Sequence, residues 1–435
     1  MQFIGHKYFL KPEVTVLQNL EFYANLFRQI KSEFPTIKLH TLGPPEIAHI
    51  AKLGGHTHTH QIEFFGQSYA VDTGFIVFNH QTYPNFIHLL KQLNVAEQAS
   101  AMSFSVSDAK TGLEYNGTSL NSLFAQRKNL LNWKFIRMIR EILRFNRESP
   151  LLLEQQDDDP SLGEYLNLHG YHQEFIEQYI VPMGAAIWSA VPVTLLAFPA
   201  RFFIRFFKNH GMLNVNDRPQ WYVIKGGSAR YVEALTKSFS DNIRLNTKVE
   251  KVERKKDHVL IHTQAMGAEK FDWVFFACHS DQALAMLDQP SALEAEVLSA
   301  IPYQENEIAL HYDRQLMPKK KLAWAAWNYH IPKQAMDKVA VTYNMNILQS
   351  LQSQEPLLVT LNYLQDIDPN KIIKRLVYHH PVYTSKSIWA QQQHSVINGQ
   401  QRSCFAGAYW GNGFHEDGVV SALQALKDFS QHHAK

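Results

Sequence analysis

Leu53-Gly54-Gly55-His56-Thr57-His58-Thr59, followed at Val71-Asp72-Thr73-Gly74-Phe75, is the stretch from which the rest of the chain becomes readable. Paired glycines let a backbone approach a bulky anion, and the amides and hydroxyls after them suit phosphate oxygens. The plain alternative is a turn with no ligand. Between the two words, Ile62, Phe64, Tyr69 and Val71 alternate around Gly66-Gln67, which predicts a hairpin ending at Asp72-Thr73-Gly74.

Working outward, Tyr83 to Leu93 reads as a helix, and Ser119 to Asn209 as mostly helical. Its parts are Trp133 to Arg147, Ser161 to Gly170 behind a Ser161-Leu162-Gly163-Glu164 capping box, and Phe198 to Asn209, with an acidic turn at Asp157-Asp158-Asp159-Pro160. After Gly226-Gly227 come a helix from Arg230 to Phe239 and strands at Ile243 to Leu245, Lys248 to Arg254, His258 to Thr263 and Trp273 to Ala277. Further strand-like runs at Glu307 to Tyr312, Leu322 to His330, Val339 to Met345 and Leu357 to Leu361 suit a second sheet. On the other side of the glycines, Val14 to Ile30 has helical spacing, and Leu42-Gly43-Pro44-Pro45 breaks it.

The 435 residues, 45% hydrophobic and 12% aromatic, can bury a large core. With 42 Lys plus Arg against 40 Asp plus Glu, the net charge of +2 provides no field that favours nucleic acid, which we exclude as a partner. Cys278 and Cys404, far apart and flanked by apolar residues, read as buried thiols in a reducing compartment. No apolar run approaches the roughly 18 residues of a spanning helix, and the opening residues lack a signal-peptide pattern, so the expected location is the cytoplasm.

A second glycine-rich region supports the first. Cys404-Phe405-Ala406-Gly407-Ala408 reads as a buried strand, followed by Gly411, Gly413 and a helix that Asp417 or Gly418 can cap. A helix start of that kind favours negative charge. Together with Trp221 to Ser228 and Asn246-Thr247-Lys248-Val249, these words stand in the order seen in the flavin-containing amine oxidoreductase family, which the chain resembles from about Leu53 to Leu426. Val71 to Asn79, Leu113 to Gly117, Pro182 to Trp188 and Gly413 to Gly418 are similar to a bacterial FAD/NAD-binding oxidoreductase subgroup of that family.

The resemblance implies FAD as cofactor. It implies that Gly54, Gly55, His56 and Thr57 follow the pyrophosphate, that Gly74 and Phe75 lie near the isoalloxazine, and that Gly226 and Gly227 approach the ring. Val249 is expected to offer its backbone to the adenine, and Gly407, Ala408, Gly418 and Val419 to line the ribityl chain and pyrimidine edge. Trp324, Trp327, Tyr329, Tyr409 and Trp410 are candidates for aromatic walls on the substrate side. Flavin oxidation needs positioning and dry walls more than an acid–base pair, so no catalytic residue stands out.

The family pattern is broken in three places. It opens with a strand, G-x-G-x-x-G and a helix, yet only Gly5 and Gly43 precede Gly54. The acid expected on the adenosine ribose falls at Ala48, with Glu46 out of register. Ala408 stands where many relatives carry a carboxylate, which Glu416 or Asp417 could replace. Ile4-Gly5-His6 and Leu10 to Tyr23 instead resemble a segment of haem-exporter-type ABC ATPases, without the G-x-x-x-x-G-K-[ST] that would bind nucleotide.

Other signals have bland readings beside sharp ones. His56, His58 and His60 share a face if extended, which suggests a phosphate-facing or solvated stripe before a metal site; we expect no metal. Lys134, Arg137, Arg140, Arg144 and Arg147 make one basic helix face, and Arg201 to Lys208 is aromatic and basic. Segments 133–147 and 201–208 thus offer a peripheral membrane contact or a lipid-sized entrance, against a solvated face and ordinary core packing.

These readings predict an α/β, two-lobed molecule: a Rossmann-like FAD-binding lobe lacking its usual glycine motif (53–80, 220–300 and 400–435) and a helical, mixed-sheet substrate lobe (81–219 and 301–399), with 1–52 as an atypical segment. The expected function is FAD-dependent removal of a hydride from a mostly apolar small molecule, such as a lipid acyl chain or an amine. The alternatives are a truncated, non-catalytic remnant unable to hold FAD, and a flavin-dependent isomerase or desaturase.

Overall fold

The computed structural model describes residues 39–42, 53–155, 159–334 and 336–433. The ABC-ATPase-like segment, the helical reading of Val14 to Ile30, Ala48 and Glu46 lie outside the described residues, as do Asp157 and Asp158.

The strand Trp273–Phe276 organises the first layer, pairing in parallel with Leu39–Leu42 on one side and Ser403–Phe405 on the other. Residues 39–42 therefore cover the edge that would otherwise stand open. Successive side chains of a strand face opposite ways. Phe275 and Cys404 enter a core shared with the helices Pro84–Gln92, Ala229–Thr236 and His415–His433, while Val274, Phe276 and Phe405 enter another with Val252, Ile261, Val297 and Leu298. Both cysteines are buried free thiols, and burial pushes both pKa values up.

The hairpin forms as read, Thr59–Phe64 against Gln67–Asp72. A three-stranded antiparallel sheet takes up Val249–Arg254, Val259–Thr263 and Gly267–Phe271, whereas residues 243–245 are not a strand. That sheet is tied to the helix Ala292–Ser299 by Arg254 and Glu294, an ion pair of 2.5 Å with both side chains almost fully buried.

The largest sheet has seven strands, in the order Ile372–Pro381, Tyr303–His311, Leu358–Leu361, Ala340–Asn344, Trp327–Ile331, Phe104–Asp108 and Leu113–Asn116. The first of these escaped the pattern reading because none of its ten residues is fully buried, so no apolar alternation marks it. It is held by its ladder to Tyr303–His311, from Tyr303 opposite Pro381 to His311 opposite Ile372. Leu322 belongs to a 3-10 turn, and the strand expected from there begins at Trp327.

Helices pack on one side of this sheet. Trp133–Glu148 starts at the Asn132 cap and buries Phe135, Met138 and Phe145. Ser161 and Glu164 form the expected box ahead of Leu162–Leu168. Val181–Trp188 runs closely past Ala200–Asn209, since a Cβ at Gly184 would stand 2.7 Å from the Phe203 ring. Phe203, Phe206 and Phe207 are buried in this core. The aromatic face of 201–208 is therefore packing, not an entrance. The whole is a mixed α/β fold.

Candidate functional site

Gly74 cannot carry a side chain here: Phe75 N–H donates to the His56 carbonyl at 2.8 Å, and a Cβ on Gly74 would overlap that oxygen. The hairpin end is pinned by Asp72, fully buried, which accepts from Thr59 Oγ1 at 2.5 Å, from Ser228 N–H at 3.0 Å and Oγ at 2.7 Å, and from Gln349 Nε2 at 3.1 Å. Gly227 sits directly against Thr59, with φ +95°, so the Gly226-Gly227 word approaches the hairpin and brings Ser228 onto Asp72.

The end of the chain meets this clamp. Thr57 Oγ1 lies 2.8 Å from Tyr231 Oη and 3.1 Å from His415 Nε2, Tyr231 Oη lies 2.8 Å from the same nitrogen, and the His415 ring stacks on Phe75. The helix His415–His433 opens with Asp417 reaching back to accept from Phe414 N–H, as the acid of a capping box does. Burial lifts the Asp417 carboxyl to about 6. Glu416 instead accepts from Asn85 N–H and Nδ2 and from Phe86 N–H, capping the helix Pro84–Gln92. Neither acid is available as the carboxylate missing at Ala408.

Between these segments lies a cavity of about 200 Å³. His56, residues 73–77, 186–189, 378–381 and 412–415, Trp327, Tyr343, Ala408 and Tyr409 contribute to its wall. No Asp, Glu, Lys or Arg among the described residues lines it. Burial holds the imidazoles neutral: His56 falls to about 4, His380 and His415 to about 3, and His279 well below its usual value, with mutual repulsion adding to each. The His56 ring stands 5.9 Å from His279 and 6.0 Å from His380. Among the described residues no group of three His, Cys, Asp or Glu is placed to hold a metal.

A hydrogen-bond chain leads from the wall to the surface. Tyr378 Oη meets Thr73 Oγ1 at 2.8 Å and His58 Nδ1 at 2.9 Å; Thr73 Oγ1 meets His60 Nε2 at 3.1 Å; His60 Nδ1 meets the exposed Lys374 at 3.3 Å. The His58 and His60 rings do share a face, 3.9 Å apart.

Of the positions read from sequence, His56, Gly74, Phe75, Trp327, Ala408 and Tyr409 line the cavity. Gly54, Gly55 and Thr57 adjoin it through the turn closed by Thr57 N–H to the Gly54 carbonyl, and Gly407 precedes the lining residue Ala408. Gly418 and Val419 lie in the first turns of the His415–His433 helix, Val419 facing the core. Val249 is in the separate three-stranded sheet, Tyr329 is in the helical core, and Trp410 stacks on His394 instead of facing the cavity. The sequence reading missed Tyr378, His379 and His380, on the strand without apolar alternation, and His279, which follows Cys278. The Tyr378-His379-His380-Pro381 word was the available signal.

The residues present fit the ring end of a flavin. Trp327 Nε1 and Tyr383 Oη, both on the cavity wall, are buried with no hydrogen-bond partner among the described residues, donors suited to the polar edge of a flat heterocycle. The volume is below the roughly 300–1,000 Å³ of drug-sized sites, room for a ring system and not for a whole dinucleotide.

A model of the family described as flavin containing amine oxidoreductase matches residues 51–346. Among solved structures, the chain is similar to a protein from Exiguobacterium sp. 255-15 assigned provisionally as protoporphyrinogen oxidase (14% identity, 96% of each chain covered, TM-score 0.64). It is also similar to the CLA-producing fatty acid isomerase from P. acnes (13% identity, 95% of this chain and 97% of that one, TM-score 0.63). A third is wild-type putrescine oxidase bound to putrescine (10% identity, 96% and 98%, TM-score 0.64). At these identities the likeness is one of fold. A comparison with curated proteins gives no match.

Proposed function

The chain belongs to the flavin-containing amine oxidoreductase family, and from that premise we propose that it is an FAD-dependent oxidoreductase taking a hydride from a mostly apolar small molecule. The observation that carries this reading is the meeting of Gly74-Phe75 with Ala408 and His415, remote in sequence, on one cavity. A bound flavin supplies the hydride acceptor. Gly74 and Phe75 would lie beside its ring, with Gly226 and Gly227 approaching it; Gly54, Gly55, His56 and Thr57 would follow the pyrophosphate, Gly407, Ala408, Gly418 and Val419 would line the ribityl chain and pyrimidine edge, and Val249 would offer its backbone to the adenine. Trp327 and Tyr409 face the substrate, and Tyr329 and Trp410 back that wall. In this reading 53–80, 220–300 and 400–435 form the cofactor lobe, and 81–219 and 301–399 the substrate lobe.

Substrate class follows from the lining. An ammonium ion would be desolvated with no carboxylate among the described residues of the wall to meet it, whereas an acyl chain or a neutral amine finds Ile76, Ile187, Val359 and Leu361. A proton released with the hydride leaves through Tyr378 and Thr73 to His60. The test is to load the full chain with FAD and add unsaturated fatty acids and amines without oxygen. Bleaching of the flavin absorbance supports the reading, and mass analysis of the product separates oxidation or desaturation from isomerisation.

A second reading is a binding protein that holds no FAD. The missing G-x-G-x-x-G favours it, because the pyrophosphate then lacks the family's helix start. Calorimetric titration with FAD that gives no heat and no yellow complex would select it.

A further inference from the structure

We propose that the tip formed by residues 119–134 docks on a membrane surface rich in anionic lipid, with its lysine-lined pocket receiving a headgroup phosphate. Four large apolar side chains stand in solvent there: Leu131 is 93% exposed, Leu120 77%, Trp133 62% and Leu130 54%. Exposed apolar groups scattered singly need no explanation; four within one short segment do. Arg127 links the two ends of the tip, donating to the Asn121 and Phe124 carbonyls and to Asn121 Oδ1 at 2.6–3.1 Å. In the 3-10 helix Arg127–Leu131, with three residues per turn, Lys128 shares an edge with Leu131 and Arg127 with Leu130. Cations and apolar tips therefore alternate around the same end.

Beside the tip is a second cavity, of about 320 Å³, lined by Lys128, Lys134, Gln126, Asn129, Asn132 and Glu174 among others. The one carboxylate in that set is already engaged by Arg137 at 2.6 Å, with Lys134 at 3.4 Å. Lys128 has no ion pair among the described residues, and Lys134 is 59% exposed. On the rest of the basic helix face Arg144 and Arg147 pair with Glu148, while Arg140 is exposed with no ion pair among the described residues. The docking element is centred on the tip, which includes the first residues of the basic helix, and 201–208 turns its aromatic side inward. With a net charge of only +2, attraction to an anionic surface has to be local.

The placement also suits delivery. Gln178 lines the lysine pocket, and the helical run continues through Ile176–Ile180 and Val181–Trp188 to Ala186, Ile187 and Trp188 on the central cavity wall. Eight residues of helix span about 12 Å. An apolar molecule leaving the bilayer at the tip is one short helix from the central cavity. The docking itself stands apart from any flavin chemistry.

The test is co-sedimentation of the full chain with vesicles of phosphatidylcholine alone and of phosphatidylcholine mixed with phosphatidylglycerol. Binding is expected to the mixed vesicles at least tenfold above the neutral ones, weakening with salt. The pair Lys128→Gln and Lys134→Gln should lower it on the order of tenfold, and Leu131→Ser with Trp133→Ser should remove it while the thermal unfolding curve stays in place. Leu131→Cys carrying a polarity-sensitive dye gives a second readout, since both native cysteines are buried; its emission should shift to the blue on mixed vesicles. Equal retention by both vesicle types, an unshifted dye, or binding of glycerol phosphate by a chain that ignores vesicles would overturn the proposal.

Discussion

The His415 imidazole lies flat on the Phe75 ring, centroids 3.5 Å apart and planes 11° from parallel, while its Nε2 reaches both Thr57 and Tyr231. One residue thus joins the start of the hairpin segment to the start of the last helix by stacking and by hydrogen bonding. The two contributions separate by substitution. His415→Phe keeps the stack and removes the shared acceptor or donor, and should cost about 1–2 kcal/mol. His415→Ala opens a hole in a packed region as well and should cost about 3–5 kcal/mol. Urea unfolding of the two variants measures the difference.

Buried histidines make the fold sensitive to acid. His415 is held at about 3, and His210, His311, His330 and His394 at about 4, each chiefly by desolvation, against 6.5 for the free group. In the unfolded chain they bind protons below pH 6.5, and in the folded chain only near pH 3–4. Their contribution is therefore present above pH 6.5 and is lost as pH falls toward about 4. Asp417 works the other way: raised to about 6 from 3.8, it favours the fold below 3.8 and loses that contribution as pH rises through about 6. Five histidines outweigh one aspartate, so the urea midpoint should fall steadily from pH 6.5 to pH 4.5, with net proton uptake on unfolding.

Glu416 performs for the helix Pro84–Gln92 what the residue before it cannot, since Tyr83 makes no side-chain cap. Glu416→Gln should lower stability by about 1 kcal/mol and Glu416→Ala by about 2 kcal/mol, through loss of the charge and then of the acceptors at that helix start. Thermal unfolding at neutral pH reads both.

Thr73 is the joint in the chain from Tyr378 to His60. Thr73→Val keeps its shape and removes the hydroxyl. If the wall passes a proton outward, the FAD-loaded variant should oxidise substrate on the order of tenfold more slowly, with an altered solvent isotope effect and unchanged substrate binding. An unchanged rate and isotope effect would leave Thr73 a packing residue.

Much of this was legible before any coordinates. The hairpin, the Ser161–Glu164 box, the buried strands at Trp273 and Cys404 and the two thiols all depend on local periodicity and local hydrogen bonds, which neighbouring residues specify by themselves. Tyr378, His379 and His380 were not legible, because their strand is held by its partner's ladder and presents no alternation of its own. The basic helix face was visible, but the pairing of its Arg137 with Glu174, on a different helix, was not.

The sequence alone determined the hairpin, most of the helices and the buried strands, the glycine words that meet at the hairpin end, and the family that the chain resembles from about Leu53 to Leu426. Only the tertiary structure decided that Gly227 serves Thr59 and Asp72, that Glu416 caps a distant helix, that four imidazoles meet as neutral groups in one cavity, and that Leu131 remains in solvent. The physical reason is range: turns, caps and periodicity act over a few residues, whereas desolvation and close packing depend on groups hundreds of positions apart.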